Sequence, residues 1–287
     1  MHKPWVTGFH DPVTGTITFV VADPTQRKAA VIDPVWDFDP KSGRLATTFI
    51  DCVSTFLDRE QLSLDWILET HVHADHLSSA QTLKHRYGAP IGIGRQVTVV
   101  QRTFAAFFDI DGEVPSDGSQ FDRLFDDGEQ FSIGGLEARV LHTPGHTPAC
   151  ISYVVGDACF VGDTLFMPDS GTARCDFPGG DARTLYRSIH RILSLPADTR
   201  IFVGHDYGGN GRDVRWQATA AEQRSQNIHV GPGRSEEDFV RLRQERDRTL
   251  APPALILPAL QVNIRAGALP NPADNGVVYL KMPVNRL

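Results

Sequence analysis

Seven potential metal ligands constrain this chain more than any other feature: His71, His73, Asp75, His76, His146, Asp163 and His205 each follow a strand-like run. The segment His71-x-His73-x-Asp75-His76 comes directly after Leu64 to Leu68, a short apolar run that reads as a buried strand ending in Glu69-Thr70. An extended segment sends alternate side chains to the same side. His71 and His73 can therefore reach one point, while the turn beyond them swings Asp75 and His76 toward a neighbouring one. Further along, Thr143-Pro144-Gly145-His146-Thr147 offers an imidazole on a tight turn. Gly162-Asp163-Thr164 adds a carboxylate, and Gly204-His205-Asp206-Tyr207 a further imidazole. A lone histidine is more often a surface or core residue than a ligand, and H-x-H alone is weak evidence. Four strand-to-loop junctions in this order are stronger, because loops on one rim of a sheet scaffold can bring them together. Imidazole with carboxylate suits zinc, iron or manganese and needs no thiolate. The remaining histidines, His2, His10, His85, His142, His190 and His229, read as structural or surface residues. His142 is the one in question, since it precedes the His146 turn.

Other chemistries find less support. Cys52, Cys150, Cys159 and Cys175 form no C-x-x-C pair, which excludes a thioredoxin-like motif or a Cys-rich zinc knuckle. Four cysteines in 287 residues also make a disulfide framework improbable, and Cys150 and Cys159 lie in apolar runs, as core residues would. A net charge of −7, from 28 Lys+Arg against 35 Asp+Glu, with no basic block argues against a nucleic-acid partner. The chain has no G-x-S-x-G elbow and no glycine-rich nucleotide loop. No apolar run approaches the roughly 20 residues of a membrane-spanning helix. The start Met1-His2-Lys3-Pro4-Trp5 leads into polar sequence without a signal-type apolar stretch. The expectation is a cytoplasmic protein with neither a membrane nor a nucleic acid as partner.

The coarse element pattern is mixed. Thr16 to Ala22 and Ala29 to Asp33 read as paired strands, followed after Pro34 by a polar loop and a helix around Thr47 to Arg59. Leu77 to Tyr87 has helical character and stops at Gly88; Pro90 to Gly94 is a further strand. From Phe125 the pattern is nearly all β, with hairpin signals at Gly134-Gly135 and Gly156-Asp157. Helices are expected over Asp181 to Leu195, over Val214 to Asn227, and from an N-cap at Ser235 to about Leu250, with Arg200 to Val203 as a strand. Strands and helices with many hairpins favour a layered α/β protein over a doubly wound parallel sheet. From Leu255 to Leu287 no pattern decides a role; the run Pro258 to Asn263 suits either a substrate mouth or a subunit contact.

The ordered motifs Thr70 to His76, His142 to Pro148 and Phe160 to Leu165 resemble the metallo-β-lactamase superfamily, and within it the glyoxalase II and persulfide dioxygenase branch. The resemblance runs from about Thr16 to Asn227. It implies a four-layer αβ/βα sandwich with metals at one edge of two sheets. Residues 1–230 would form the catalytic domain, and residues 231–287 a C-terminal extension packed on it. Gly171 to Phe177 is similar to the Arg-x-Asp-Phe segment of the dioxygenases, and Gly204 to Tyr207 to their His-Asp-Tyr segment. No rhodanese domain follows in this sequence, so the unfused form is expected.

That resemblance implies one Fe(II) per chain, held by His71, His146 and Asp163, with coordination positions open for a sulfur and for O2. His73, Asp75, His76 and His205 would stand behind these ligands or hold a second metal, because the same set binds two metals in glyoxalase II-like enzymes. The ligands alone do not decide between one iron and two zincs. The implied reaction oxidises glutathione persulfide with O2 and water to glutathione and sulfite; the alternative is hydrolysis of glutathione thioesters. A non-catalytic relative would often have lost some of the seven ligands, and here all are intact. Arg174 and Tyr207 would contact glutathione, with Arg215 as a further candidate at the start of a helix. The competing reading of Arg174 is a simple ion pair with Asp176. Cys175 invites a persulfide-carrier role, but no rhodanese-like loop surrounds it and a plain loop thiol is simpler. A homodimer is a family-level expectation.

Overall fold

Alternation along single strands generates the layers. In strand β2 (Ile17–Asp23), Ile17, Phe19 and Val21 enter one apolar cluster while Val20 and Ala22 enter another. A strand apolar on both faces must be covered on both. The computed structural model of the protein describes residues 3–286 and shows how this is done; His2 lies outside the described residues. One six-stranded sheet has the order β1 (Trp5–His10), β2, β3 (Lys28–Ile32), β6 (Ser63–Leu68), β8 (Ile91–Gly94) and β9 (Arg123–Phe125). The second runs β10 (Gln130–Ile133), β11 (Leu136–His142), β12 (Ile151–Val155), β13 (Ala158–Phe160), β14 (Arg200–Phe202) and β15 (Gln217–Thr219).

The inner faces of the two sheets meet in a shared core in which Phe160 lies 5.4 Å from Phe19 and stacks at 5.1 Å on Phe202. The first sheet is covered outside by α1 (Thr48–Arg59), α2 (Ala80–Tyr87), α3 (Val97–Phe108) and α7 (Ile256–Asn263), through Leu57, Leu83, Phe104 and Leu260 among others. The second is covered by α4 (Ala182–Leu193), α5 (Ala220–Gln226) and α6 (Glu236–Asp247), through Leu185, Ala220 and Phe239. The result is the expected αβ/βα sandwich. The C-terminal residues contribute to both outer layers, since α6 packs on α4 and α7 on β7 (Leu77–Ser78).

Several expectations from local pattern are corrected. The loop after Pro34 is a hairpin of β4 (Val35–Asp39) and β5 (Arg44–Ala46), and β4 also pairs with β7, so Leu77 and Ser78 are strand rather than helix. Residues 217–219 are likewise strand, paired with Arg200–Phe202; the helix starts only at Ala220, where Thr219 and Glu222 form a capping box. Where the pattern was firmer the ends match: Asp181 caps α4 by accepting from Thr184 N, Ser235 caps α6, and Gly88 closes α2 in the left-handed region.

Candidate metal centre

The centre lies where β6, β11, β13 and β14 end on one rim. Beyond β6, Thr70 is fixed by Asp33 at the end of β3: its N–H donates to Asp33 Oδ1 at 2.7 Å and its hydroxyl to Oδ2 at 2.8 Å. The same hydroxyl oxygen is 3.0 Å from His71 Nδ1. With its proton given to Asp33, the hydroxyl can only accept, so Nδ1 carries the hydrogen and Nε2 keeps its lone pair. His146 is set similarly, its Nδ1–H donating to the backbone oxygen of Arg174 at 2.7 Å. Both imidazoles therefore turn a bare Nε2 to the same point, at 4.0 Å (His71) and 3.7 Å (His146) from Asp163 Oδ2.

Two glycines make this convergence possible. Gly145, at φ +137°, passes so close to α4 that a Cβ would stand 2.3 Å from Leu185 Cα. Gly162, at φ +49°, leaves room for the Thr70 side chain, whose Oγ1 would be 2.5 Å from a Cβ. Both conformations lie in the region that favours glycine.

One ligand atom from each of His71, His146 and Asp163 lies within 4.8 Å of the other two. His71 Nε2 is buried and has no hydrogen-bond partner, which is costly unless something is bound there. Two imidazoles and a carboxylate on one face fit a divalent iron or zinc. Burial, with His73 nearby, holds the His71 imidazole well below its ordinary value, so it stays neutral.

The other four candidate ligands form an adjoining group. His205 is clasped between two carboxylates, with Nδ1 at 2.6 Å from Asp163 Oδ1 and Nε2 at 2.7 Å from Asp75 Oδ2. Burial opposes its charging, but these two acids overcome burial and raise its affinity for a proton well above normal. Against burial, His205 in turn holds both Asp163 and Asp75 below the usual carboxylate range. His73, Asp75 and His76 make a second potential ligand cluster. His73 belongs to a third, lying 3.0 Å from Asp33 and 3.4 Å from Glu69; despite burial, these acids push its imidazole up to about 10.

The proposed substrate contacts are placed less simply. The Arg174 guanidinium is already engaged, reaching Asp176 Oδ1 and Oδ2 at 2.6 and 2.8 Å and the Ala251 carbonyl at 2.7 Å. The ion pair with Asp176 is thus present, while the backbone of Arg174 supports His146. Tyr207 is 70% exposed, with its ring parallel to His205 at 6.0 Å. Arg215 precedes β15 rather than starting a helix; its backbone N–H donates to Asp206 Oδ2 at 2.7 Å, and its guanidinium lies 3.7 Å from Asp169. The Cys175 N–H and thiol both face Asp247 Oδ2, and burial with that acid pushes the thiol up to about 12, which makes it a poor nucleophile. Cys150 and Cys159 are buried. His142 is tied to the Pro148 carbonyl at 3.0 Å, away from the ligand groups.

Sequence reasoning missed the residues behind the ligands. Asp33 carries a signal only in hindsight, as an acid closing an apolar strand. Arg212 holds both Asp169 and Asp206 and so fixes the loop after His205. Asn263, near the far end of the chain, donates to the His73 and His76 carbonyls.

A family model described as the metallo-beta-lactamase superfamily matches residues 10–205. A beta-lactamase hydrolase-like protein of Xylella fastidiosa is 53% identical over 287 residues, covering all of this chain and 66% of that one, so the chain spans just under two thirds of that relative's length. Glyoxylase B2 of Dictyostelium discoideum is 46% identical over 288 residues, covering 100% of this chain and 99% of that one. The mitochondrial persulfide dioxygenase ETHE1 of Homo sapiens is 31% identical over 260 residues, covering 90% and 86%. Among solved structures, ETHE1 from Myxococcus xanthus superposes with a TM-score of 0.73 at 29% identity, covering 92% of this chain and 100% of that one. No helix among the described residues is long and apolar enough to cross a membrane. The chain belongs to the metallo-β-lactamase superfamily, with persulfide dioxygenases and a glyoxylase among its homologues.

Proposed function

We propose that the protein is a persulfide dioxygenase with one Fe(II) per chain, held by His71, His146 and Asp163, that converts glutathione persulfide, O2 and water to glutathione and sulfite. The observation that carries this reading is the convergence of His71, His146 and Asp163 on one point, with His205 behind them. Both ring nitrogens of His205 face carboxylates, at 2.6 and 2.7 Å, as suits a charged imidazole standing behind the triad. A two-metal hydrolytic centre would draw on His205 as a ligand as well.

Iron held by His71, His146 and Asp163 would supply the binding of a sulfur and of O2 and the redox chemistry between them. The chain's own residues prepare that point. Thr70 and the Arg174 carbonyl fix which nitrogen each imidazole presents, and such outer contacts hold ring orientation. The Asp75–His205–Asp163 row places a charged imidazole beside the centre, suited to holding and returning a proton as the persulfide enters and the thiol leaves. Phe177 packs edge-on to His146 at 5.3 Å and beneath the Arg174 guanidinium at 5.1 Å, shielding one side from water. Arg174 would exchange Asp176 for a glutathione carboxylate, a pairing to which a guanidinium is suited. Tyr207, exposed above His205, would contact the tripeptide, with Arg215 further out.

The His73–Asp75–His76 cluster and the glyoxylase relative favour a second reading, hydrolysis of a glutathione thioester by two metals. One experiment separates the two. Protein purified without oxygen is assayed for O2 uptake and sulfite release on glutathione persulfide, and for hydrolysis of S-lactoylglutathione. Rapid uptake with stoichiometric sulfite is expected; thioester cleavage without O2 uptake would overturn the proposal.

A further inference from the structure

The geometry points to the C-terminal helix α7 as a clamp on the metal-binding loop, with Asn263 as its positioning residue. Residues 69–76, which carry four of the seven potential ligands, have no regular secondary structure, so their buried backbone groups need partners from elsewhere. Asn263 supplies several at once. Its amide nitrogen donates to the His73 carbonyl at 2.8 Å and the His76 carbonyl at 2.7 Å, while its Oδ1 accepts from Ser78 N at 2.8 Å. The residue is 4% exposed, and its partners lie 185 to 190 positions earlier in the chain.

The pinned carbonyls bracket Asp75. That carboxylate holds His205 Nε2, and His205 Nδ1 holds Asp163, so fixing the loop also fixes the acid on the opposite sheet. On the near side the His73 ring lies 4.0 Å from the His71 ring, centre to centre. One amide from the last helix thus braces both halves of the centre. Asn263 is the last residue of α7, and apart from Gln261 the buried residues before it, Ile256, Ala259, Leu260 and Val262, are apolar. The clamp operates with either iron or zinc and with one metal or two, so it stands apart from the persulfide reading.

A neighbour in the same helix provides the control. Gln261 is 2% exposed and makes comparable hydrogen bonds, but to Leu257 and Lys281 rather than to the ligand loop. The full chain, stripped of metal and titrated with Co(II) against a chelator, is compared as wild type, N263A, N263S, N263D and Q261A. The expected result is a loss of Co(II) affinity of about 10- to 100-fold in N263A and N263D, with an altered Co(II) absorption spectrum. N263S, keeping one donor, falls between. Q261A lowers the melting temperature but keeps both affinity and spectrum. If N263A does not fold, N263S against Q261A decides alone. Wild-type affinity and spectrum in the folded Asn263 variants, or an equal loss in Q261A, would reduce α7 to ordinary packing and overturn the clamp.

Discussion

His71 and His146 present the same nitrogen to the centre, but they are held from behind by different means. His71 leans on a side-chain relay, Thr70 to Asp33, whereas His146 leans on a backbone carbonyl, that of Arg174. A relay of side chains can be cut by one substitution. A backbone support survives changes to its own side chain and yields only when the segment moves. Residues 172–175 are held in turn by α6: Arg243 pairs with Asp247 and donates to the Thr172 carbonyl at 3.0 Å, and Asp247 accepts from Cys175 N at 3.0 Å.

The largest effect should come from the ligand that both imidazoles face. Asp163→Ala removes the carboxylate and should bring bound metal from about one per chain to near zero by elemental analysis; an unchanged metal content would refute the ligand set. Next is the exposed weakness of the His71 side. Thr70→Val removes the hydroxyl while the backbone N–H still reaches Asp33. It should weaken metal binding by about 10- to 100-fold, the usual cost of losing an outer contact, as read by chelator competition. A smaller effect is expected from Arg174→Ala, since the backbone oxygen behind His146 stays. Metal content should hold while KM for the persulfide rises about tenfold, near 1.5 kcal/mol for one charge-assisted contact. Loss of metal in that variant would mean that the side chain, not the backbone, positions His146. The smallest effect belongs to Cys175→Ser: the N–H to Asp247 remains, and stability should shift by less than about 1 kcal/mol. In the native protein, thiol reagents should label exposed Cys52 well before Cys175, and the reverse order would contradict the buried, protonated thiol.

The same contrast explains what the sequence revealed. Ligands at strand ends are legible because local spacing places them: the run from Leu64 to His76 spells out strand, junction and imidazoles, and Gly145 and Gly162 mark turns that only glycine adopts readily. Supports from remote segments leave no local trace. Asn263 sits in a run of apolar helix residues, and nothing near it in the chain refers to His73. Asp33 acts on Thr70, 37 residues away, and Arg212 ties Asp206 to Asp169, 43 residues before it. Misread elements follow the same rule, for Gln217 to Thr219 became strand only because Arg200 to Phe202 offered an edge, a tertiary effect that overrides local preference.

The central proposal is one metal per chain, with His205 standing behind its ligands. A crystal of the protein soaked anaerobically in Fe(II) and recorded at the iron absorption edge tests it directly. A single anomalous peak bound by His71, His146 and Asp163 is expected, with His205 still bridging Asp163 and Asp75. Two peaks sharing Asp163, one of them bound by His205, would contradict it.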